Sequence, residues 1–416
     1  MALAALIFAS QTIDDGSDML RAALPLAGAT LLEHQVRRAV RAGAHHIVVL
    51  VERLPASLIA AIDRLRRDGN RVDIARTVAD AADRIHPDET VLVVADGCIV
   101  PSTGFDRLVT ARAPALLALA DQAGLEDFER IDAETRWAGL ALVEGRRLQE
   151  TAAKLGEWDF ALTLLRRTLQ AEATILPAIG AADSVDEERP LFVRQPADLA
   201  LLEERIIAGS AGMRDGWPAR YIFPLLEKPA IGPLTRRQAD PSWLQIGSIL
   251  LAAIAVPLAL AGWLGVALGL LVASGPVASI AQRLADVRIT RLRYERWIAQ
   301  ARLPPPGAGP IVVGTQPGGD RPGGGAPLAV AGGRAGIGAM VALAGAWRTA
   351  RQLDNRAAMP LMATGDGLIW MFIPFGLLGL WGTGLAAAAL YAATSFAVAQ
   401  RLVHDAIILK MRGQQV

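Results

Sequence analysis

The chain has little of what disulfide scaffolds, structural zinc sites and nucleic-acid-binding surfaces require. Its 416 residues include one cysteine, Cys98, and five scattered histidines, so it has neither an internal disulfide nor a structural zinc pattern. Basic and acidic side chains nearly balance, 42 against 41, for a net charge of +1. Because no overall positive field attracts nucleic acid, we expect no nucleic-acid partner.

Charge is also missing from long stretches of the second half, which raises the mean hydropathy to +0.33. No Asp, Glu, Lys or Arg occurs from Leu244 to Gln282 or from Leu368 to Gln400. A helix over the first stretch would be roughly 58 Å long, about twice a hydrocarbon core. Each stretch is therefore predicted to form two membrane spans, with breaks around Gly262–Gly265, beside an interfacial Trp263, and at Gly382–Gly384.

The first 240 residues contain no such stretch, and the N-terminal apolar run lacks the basic region and length of a signal peptide. These features predict a multi-pass protein of the inner (cytoplasmic) membrane with a cytosolic N-terminal domain. Arginine-rich clusters at 283–302 and 348–356 are expected on the cytosolic side, which demands an even number of crossings between them. Whether 284–303 and 328–347 also cross stays open, so four spans are expected and up to six are allowed, with a Pro/Gly-rich loop at 304–327.

The N-terminal half alternates short apolar runs with amphipathic segments, a pattern typical of a mostly parallel sheet covered by helices. The predicted strands are Leu3–Phe8, Ile47–Val51, Val72–Ala75, Val91–Ala95, Ala115–Ala118 and Ala138–Val143. Helices are predicted at Leu31–Ala42 and Leu58–Arg67. The predicted organisation is an α/β domain at 1–208, a juxtamembrane linker helix at 209–243 and an all-α membrane domain at 244–416.

Four segments of the N-terminal half resemble nucleotidyltransferases with a GT-A-type, Rossmann-like fold. Leu24–His34 (LPLAGATLLEH) and Arg41–Val49 (RAGAHHIVV) look like the family's "PL-x-G-x-P-L-I-E-H" and "A-G-x-x-x-I-V-V" stretches. Val91–Gly97 (VLVVADG) matches a strand that ends in the family's magnesium-binding aspartate. Phe192–Leu199 (FVRQPADL) is similar to its late "V-D-T-P-E-D-L" segment.

This resemblance implies a nucleotide site with Mg²⁺ as its cofactor at the ends of the strands. Asp96 is the implied catalytic residue and metal ligand; a turn or helix-capping aspartate is the alternative. Ser10, Arg21 and Arg194 are the implied nucleotide-binding residues. Arg194 replaces the second metal-binding aspartate of the family, and it either pairs with Asp96, holds a phosphate directly or is an ordinary surface arginine.

The loop after the first strand departs from the family pattern "A-A-G-x-G-T-R". Ala9–Ser17 (ASQTIDDGS) has one glycine, and its two aspartates, Asp14 and Asp15, would repel phosphate. Ala22 and Ala23 stand where the family has a lysine before "P-L". The phosphate-binding loop is therefore predicted to be lost.

The second half resembles the CDP-alcohol phosphotransferases that follow a cytidylyltransferase domain in bifunctional proteins. Arg214–Tyr221 (RDGWPARY) looks like the juncture of such proteins, which places Arg220 before the membrane. Ser274–Gln282 falls where the family has "D-x-x-D-G-x-x-A-R" and keeps only Ala281 of the fixed positions. Of the four motif carboxylates, one acidic residue remains, Glu295, which is the implied catalytic residue of this half.

Arginines are dense just beyond the second predicted span. Arg283, Arg288 and Arg291 are predicted, with Arg220, to bind lipid head groups or phosphate. A topology-determining role for the cluster, and simple interfacial charge at Arg220, are the alternatives.

Two functional hypotheses follow. The first is a membrane-anchored, diverged relative of the bifunctional transferases of phospholipid or head-group synthesis that lacks the standard activities and acts as a binding or regulatory partner. The second is an active nucleotidyl- or phosphoalcohol transferase with altered chemistry. Both leave open whether the chain is an enzyme and whether it forms a homodimer. Expected partners are membrane lipids and a nucleotide or nucleotide-activated head group.

Overall fold

The chain folds as two compact units, and the computed structural model describes residues 2–14, 17–154, 159–179, 189–209, 216–236, 239–290 and 362–413. The first unit comprises Met1–Gly209 with Val287–Thr290. The second comprises Ser210–Asp286 and Arg291–Val416. The boundaries predicted from the sequence, at 208 and 243, stay predictions.

The first unit is built on a seven-stranded mixed sheet. Its strands in chain order are β1 (Leu3–Phe8), β4 (His46–Leu50), β5 (Val72–Ala75), β6 (Thr90–Val94), β8 (Ala115–Ala120), β9 (Thr135–Glu144) and β10 (Thr174–Pro177). Their order across the sheet is β10-β8-β9-β6-β1-β4-β5. Only β9 runs antiparallel to its neighbours, β6 and β8, and the other four pairings are parallel. Two small antiparallel pairs join β2 (Pro25–Leu26) to β3 (Ala29–Thr30) and β7 (Cys98–Ile99) to β11 (Leu191–Phe192).

Helices cover both faces of this sheet. They are α1 (Leu31–Arg41), α2 (Ala56–Arg67), α3 (Val78–Asp83), α4 (Ser102–Val109), α5 (Gly145–Lys154), α6 (Phe160–Gln170) and α7 (Pro196–Gly209). Side chains of β1 alternate between two cores: Ile7 packs with α1, α2 and α4, whereas Leu6 packs with α3, α5 and α6. This alternation is the period of two that a pleated strand imposes.

The α/β fold predicted from the sequence is confirmed. Each of the six predicted apolar runs is a strand, and both predicted helices are present. The runs are largely apolar because most of the strands are buried on both faces, which is the condition of a sheet covered by helices on two sides. The exception is Asp73 in β5, which lies at the edge of the sheet and is partly exposed.

The second unit is helical in the part that the structure describes. One turn of π-helix at Pro218–Ile222 leads into α8 (Phe223–Arg236), which is followed by α9 (Pro241–Leu260) and α10 (Leu264–Val287). The predicted break in the first uncharged stretch is confirmed, since the chain turns between Leu260 and Leu264. Further along, α11 (Gly365–Leu377) is followed by α12 (Trp381–Gly413).

The predicted turn at Gly382–Gly384 is wrong. The chain turns three residues earlier, where Gly379 has a φ of +69°, and α12 runs through Gly382 and Gly384. The left-handed conformation at Gly379 favours glycine. Gly384 is helical, and glycine is required there by close packing. A Cβ there would lie 2.9 Å from the Phe375 Cβ, so its hydrogen side chain allows α11 and α12 to pack closely.

Three helices of the described residues are long and apolar enough to cross a membrane: Pro241–Leu260, Leu264–Val287 and Trp381–Arg401. They indicate a membrane protein. The 13-residue α11 is apolar but spans only about 20 Å at 1.5 Å per residue. The loop at 304–327 and the segment 328–347 lie outside the described residues, so the total of four to six spans stays a prediction.

Candidate functional site

The sheet brings the chain after β1 and the chain after β6 to the same edge. β1 and β6 are parallel neighbours, with Ile7 opposite Val94, so the residues that follow them meet. The Gln11 backbone N–H donates a hydrogen bond of 2.7 Å to the Asp96 carboxylate. The backbone of Ser10 also faces this carboxylate and favours its charged form. Ser10 and Asp96, two of the predicted site residues, therefore lie together.

Asp96 is a buried carboxyl group, 7% exposed. Burial raises its pKa to about 6, against the opposing effects of the Gln11 N–H and the charge of Arg21. Within the described parts of the chain, its Oδ1 atom has no hydrogen-bond partner. A buried polar atom without a partner calls for an explanation, and together with the raised pKa it makes Asp96 a candidate for a functional group.

We expect Asp96 to make the stability of the first unit depend on pH. Its folded pKa of about 6 lies above the usual 3.8, so the folded state is favoured below pH 3.8 and loses this advantage as the pH rises through 6. The free energy of unfolding of Asp96→Asn, relative to that of the wild type, should increase by about 2–3 kcal/mol between pH 4 and pH 7.5. Denaturant unfolding of the full chain, followed by hydrogen exchange in β6, measures this difference. A constant difference across the pH range would contradict the raised pKa.

Arg21 lies beside Asp96 and is itself buried, with 8% of its surface exposed. Its guanidinium donates one hydrogen bond of 2.7 Å to the Gln11 side chain and one of 2.8 Å to the Asp14 carboxylate. The same group stacks over the ring of Phe192, 5.1 Å from its centroid. Both terminal nitrogens therefore already have partners within the chain.

Arg194 also lies near the Asp14 carboxylate, at the oxygen that Arg21 does not contact. Its side chain is half exposed, its Nε lies 3.7 Å from Asp14 Oδ2, and its Nη2 forms an ion pair with Asp127. Among the roles left open by the sequence, pairing is the one observed, but with Asp14 and Asp127. The carboxylate of Asp14 thus lies between the two arginines predicted to bind a nucleotide.

Sequence reasoning missed Gln11, Asp127 and Phe192 as members of this cluster and assigned Asp14 only a repulsive effect on phosphate. No motif marks Asp127, which lies in the loop between β8 and β9, and only the fold brings it to Arg194. With Asp96 ionised, the cluster holds two guanidinium and three carboxylate groups. It is therefore net negative.

The donor set does not fit a resident Mg²⁺. Among the described residues, no group of three or more His, Cys, Asp or Glu side chains could hold a metal ion. Asp96 offers one buried oxygen, and the neighbouring guanidinium of Arg21 opposes a second cation. Mg²⁺ needs octahedral oxygen coordination and gives up its waters reluctantly, which a single enclosed carboxylate does not provide.

In the second unit, the predicted lipid-binding residue Arg283 has an internal partner. Its guanidinium donates a 3.0 Å hydrogen bond to Glu227, a carboxylate of α8 with no exposed surface, and Ser279 Oγ donates another of 2.6 Å. Sequence reasoning missed Glu227. One turn earlier in α10, a Cβ at Gly275 would lie 2.9 Å from Phe223 Cζ, so glycine lets α8 approach closely here.

The other predicted lipid-binding residues are scattered. Arg220 is exposed, with its guanidinium 6.0 Å from the centroid of the Tyr221 ring. Arg288 is buried in the first unit, where its carbonyl oxygen accepts a hydrogen bond of 3.1 Å from Arg37. Arg291 and the predicted catalytic Glu295 lie outside the described residues. The lipid-binding roles stay predictions.

No protein-family model matches the chain, and no curated protein matches it. Among solved structures, the chain is similar to an inositol-1-phosphate CTP transferase from T. maritima, at 12% sequence identity and a TM-score of 0.38. The similarity covers 49% of this chain and 94% of that one. A likeness this distant carries no argument about the chemistry of this chain.

Proposed function

We propose that the chain is a membrane-anchored, diverged relative of cytidylyltransferase and CDP-alcohol phosphotransferase proteins that lacks nucleotidyl transfer and serves as a binding or regulatory partner in phospholipid or head-group synthesis. The observation that carries the proposal is the position of Asp14. Its carboxylate forms an ion pair with Arg21 and lies 3.7 Å from Arg194, the two cations that would otherwise attract a triphosphate. A net negative cluster without a Mg²⁺ donor set disfavours both the nucleotide and its metal.

The proposal extends to location and partners. The three apolar helices support membrane residence, and the arginine-rich segment after α10 supports a cytosolic first unit in the inner membrane. Membrane lipids are the proposed partners of the second unit. A nucleotide-activated head group would bind only weakly at the first unit, with any Mg²⁺ brought by its phosphates.

Asp14→Asn should increase the affinity for a nucleotide. The amide keeps the shape of the side chain but removes one of the three carboxylate charges, so the cluster is no longer net negative and Arg21 loses its ion-pair partner. One charge-assisted contact between a guanidinium and a phosphate corresponds to about tenfold in affinity. For the wild type, millimolar CTP with or without Mg²⁺ should leave the melting temperature of the purified full chain unchanged in detergent. With Asp14→Asn, CTP should raise it.

Asp18→Asn is the matched control. Asp18 belongs to the same loop, but its side chain is 94% exposed, and its one ion pair among the described residues is with the exposed Arg53, at 3.3 Å. Removing this charge should leave nucleotide affinity unchanged. Mg²⁺-dependent CTP binding by the wild type would contradict the proposal.

The second candidate is an active transferase that uses Asp96. It is favoured by the unpartnered Oδ1 atom and by a pKa near neutrality, which suits a group that accepts and returns a proton. It predicts binding of CTP or a nucleotide sugar that disappears in Asp96→Ala. The first candidate predicts no such binding in either protein.

A further inference from the structure

Helix α8 has one face packed in the second unit and another whose large side chains are exposed within the described part of the chain. Phe223, Glu227, Ile231 and Thr235 recur at every fourth position, and each is at most 2% exposed. On the other side, Leu225 is 70% exposed.

The exposed face is apolar and basic. Tyr221, Leu225 and Lys228 follow one line of the helix at spacings of four and three residues, and Leu226 lies next to them. Tyr221 is 58% and Leu226 is 47% exposed. Lys228 and Arg220 are exposed, and neither forms an ion pair within the described part of the chain. Large apolar side chains left in contact with solvent mark a surface that binds something else.

The spanning helices fix the depth at which this face lies. Trp243 and Trp263 are 74% and 63% exposed and are 20 positions apart, a distance of about 30 Å along a helix. Tryptophan favours the two interfaces of a bilayer, and about 30 Å is the thickness of the hydrocarbon core. α10 returns antiparallel to α9, as the 2.9 Å hydrogen bond from Ser248 to the Ser274 carbonyl requires. The last turns of α10 therefore lie at the Trp243 interface.

α8 packs against these last turns of α10. Its Glu227 accepts hydrogen bonds from Ser279 and Arg283. Arg283 lies 20 positions beyond Trp263, which is again about 30 Å along the helix axis. The exposed face of α8 is thus at the boundary between head groups and acyl chains on the Trp243 side.

Two prolines inside α8 also favour the boundary over the core. Pro229 and Pro233 have no N–H, so the carbonyl groups of Leu225 and Pro229 cannot accept the regular helical hydrogen bond. In hydrocarbon these carbonyls would remain unsatisfied, whereas among head groups water can reach them.

We propose that α8 and the turn before it form a lipid-binding surface for anionic head groups. Tyr221, Leu225 and Leu226 insert at the acyl boundary, while Arg220 and Lys228 contact the phosphates of acidic lipids. Continuity with the spanning helices and the charge of the two cations identify a bilayer leaflet as the occupant. The inference does not depend on the function of the first unit.

Depth-dependent quenching tests this surface. Cys98 is the chain's single cysteine, and it is buried, which raises the pKa of its thiol and keeps it unreactive, so Leu225→Cys can be labelled selectively with a fluorophore. In vesicles of phosphatidylcholine and phosphatidylglycerol, nitroxide lipids spin-labelled near the head group should quench this label more than lipids labelled deep in the acyl chain. Ile254→Cys, at an exposed position midway along α9, is the matched control and should show the reverse order. Absence of quenching at Leu225, or the order expected for Ile254, overturns the proposal.

The contribution of charge is tested on the same protein. Arg220→Gln and Lys228→Gln should each weaken the preference for spin-labelled phosphatidylglycerol over phosphatidylcholine about fivefold. Both variants should retain the wild-type quenching order at Leu225, which shows that α8 is still in place. An unchanged lipid preference in the double variant overturns the assignment to anionic lipids.

Discussion

Glu227→Leu is expected to destabilise the second unit by about 3–5 kcal/mol, because it removes the carboxylate that accompanies a buried guanidinium. Glu227 has no exposed surface, and the side chain of Arg283 is 9% exposed. In the variant, Arg283 loses a 3.0 Å charge-assisted hydrogen bond, and Ser279 loses one of 2.6 Å. The midpoint of thermal unfolding in detergent, followed by tryptophan fluorescence, should fall by roughly 10 °C.

The double variant Glu227→Leu with Arg283→Met is the control that separates charge from packing. A buried ion pair replaced as a whole by apolar side chains is often neutral in stability, so the double variant should recover most of the loss. Ser279→Ala removes one hydroxyl donor to this carboxylate and leaves the ion pair in place, so it should cost less, about 1.5–2 kcal/mol. If the single and double variants unfold alike, the buried charge is not the cause.

Glu33→Ala is the second change with a large expected effect, about 3 kcal/mol in the first unit. The Glu33 side chain is 1% exposed and accepts two hydrogen bonds from Arg64, of 3.0 and 2.8 Å. It also closes a capping box at the start of α1, since the Thr30 N–H donates to Glu33 at 2.8 Å and the Thr30 hydroxyl accepts from the Glu33 N–H at 3.2 Å. Hydrogen exchange of α1 in the full chain should become faster in the variant.

The pH dependence distinguishes the charge of Glu33 from its capping role. Burial by itself raises the pKa of Glu33, but the Arg64 hydrogen bond, the charge of Arg37, the Thr30 N–H hydrogen bond and the charge of Arg64 together outweigh it. The pKa is therefore lowered from 4.5. This contribution to stability is present above pH 4.5 and is lost as the pH falls through the lowered pKa. The difference between wild type and Glu33→Gln should therefore shrink in acid. Glutamine can still accept the hydrogen bond from the Thr30 N–H, so this comparison isolates the charge of Glu33. A pH-independent difference would contradict the lowered pKa.

The elements that could be predicted from the sequence are those whose cause is local. β1, β4, β5 and β6 follow from short apolar runs, and the turn before α10 follows from an uncharged stretch too long for one crossing. Solvent or lipid contact sets the period of such patterns, so each segment carries its own signal. The turn between α11 and α12 was misplaced because Gly379 and Gly382–Gly384 give the same local signal. Only packing against Phe375 distinguishes them.

The candidate site was predictable only in part, for the same reason. Asp96 was predicted from the resemblance of Val91–Gly97 to a strand that ends in a metal-binding aspartate. Gln11 and Asp127 were not, since their contacts with Asp96 and Arg194 join segments 85 and 67 positions apart.

The sequence by itself determined the order of the two halves, the α/β character of the first and the uncharged helices of the second. These properties follow from hydrophobic periodicity and from the absence of charge over lengths that match a bilayer. Only the tertiary structure decided which charges compensate each other: Asp14 with Arg21 and Arg194, and Glu227 with Arg283. The energy of an ion pair depends on the distance between side chains and on their burial, and neither quantity is present in a linear sequence until the chain has folded.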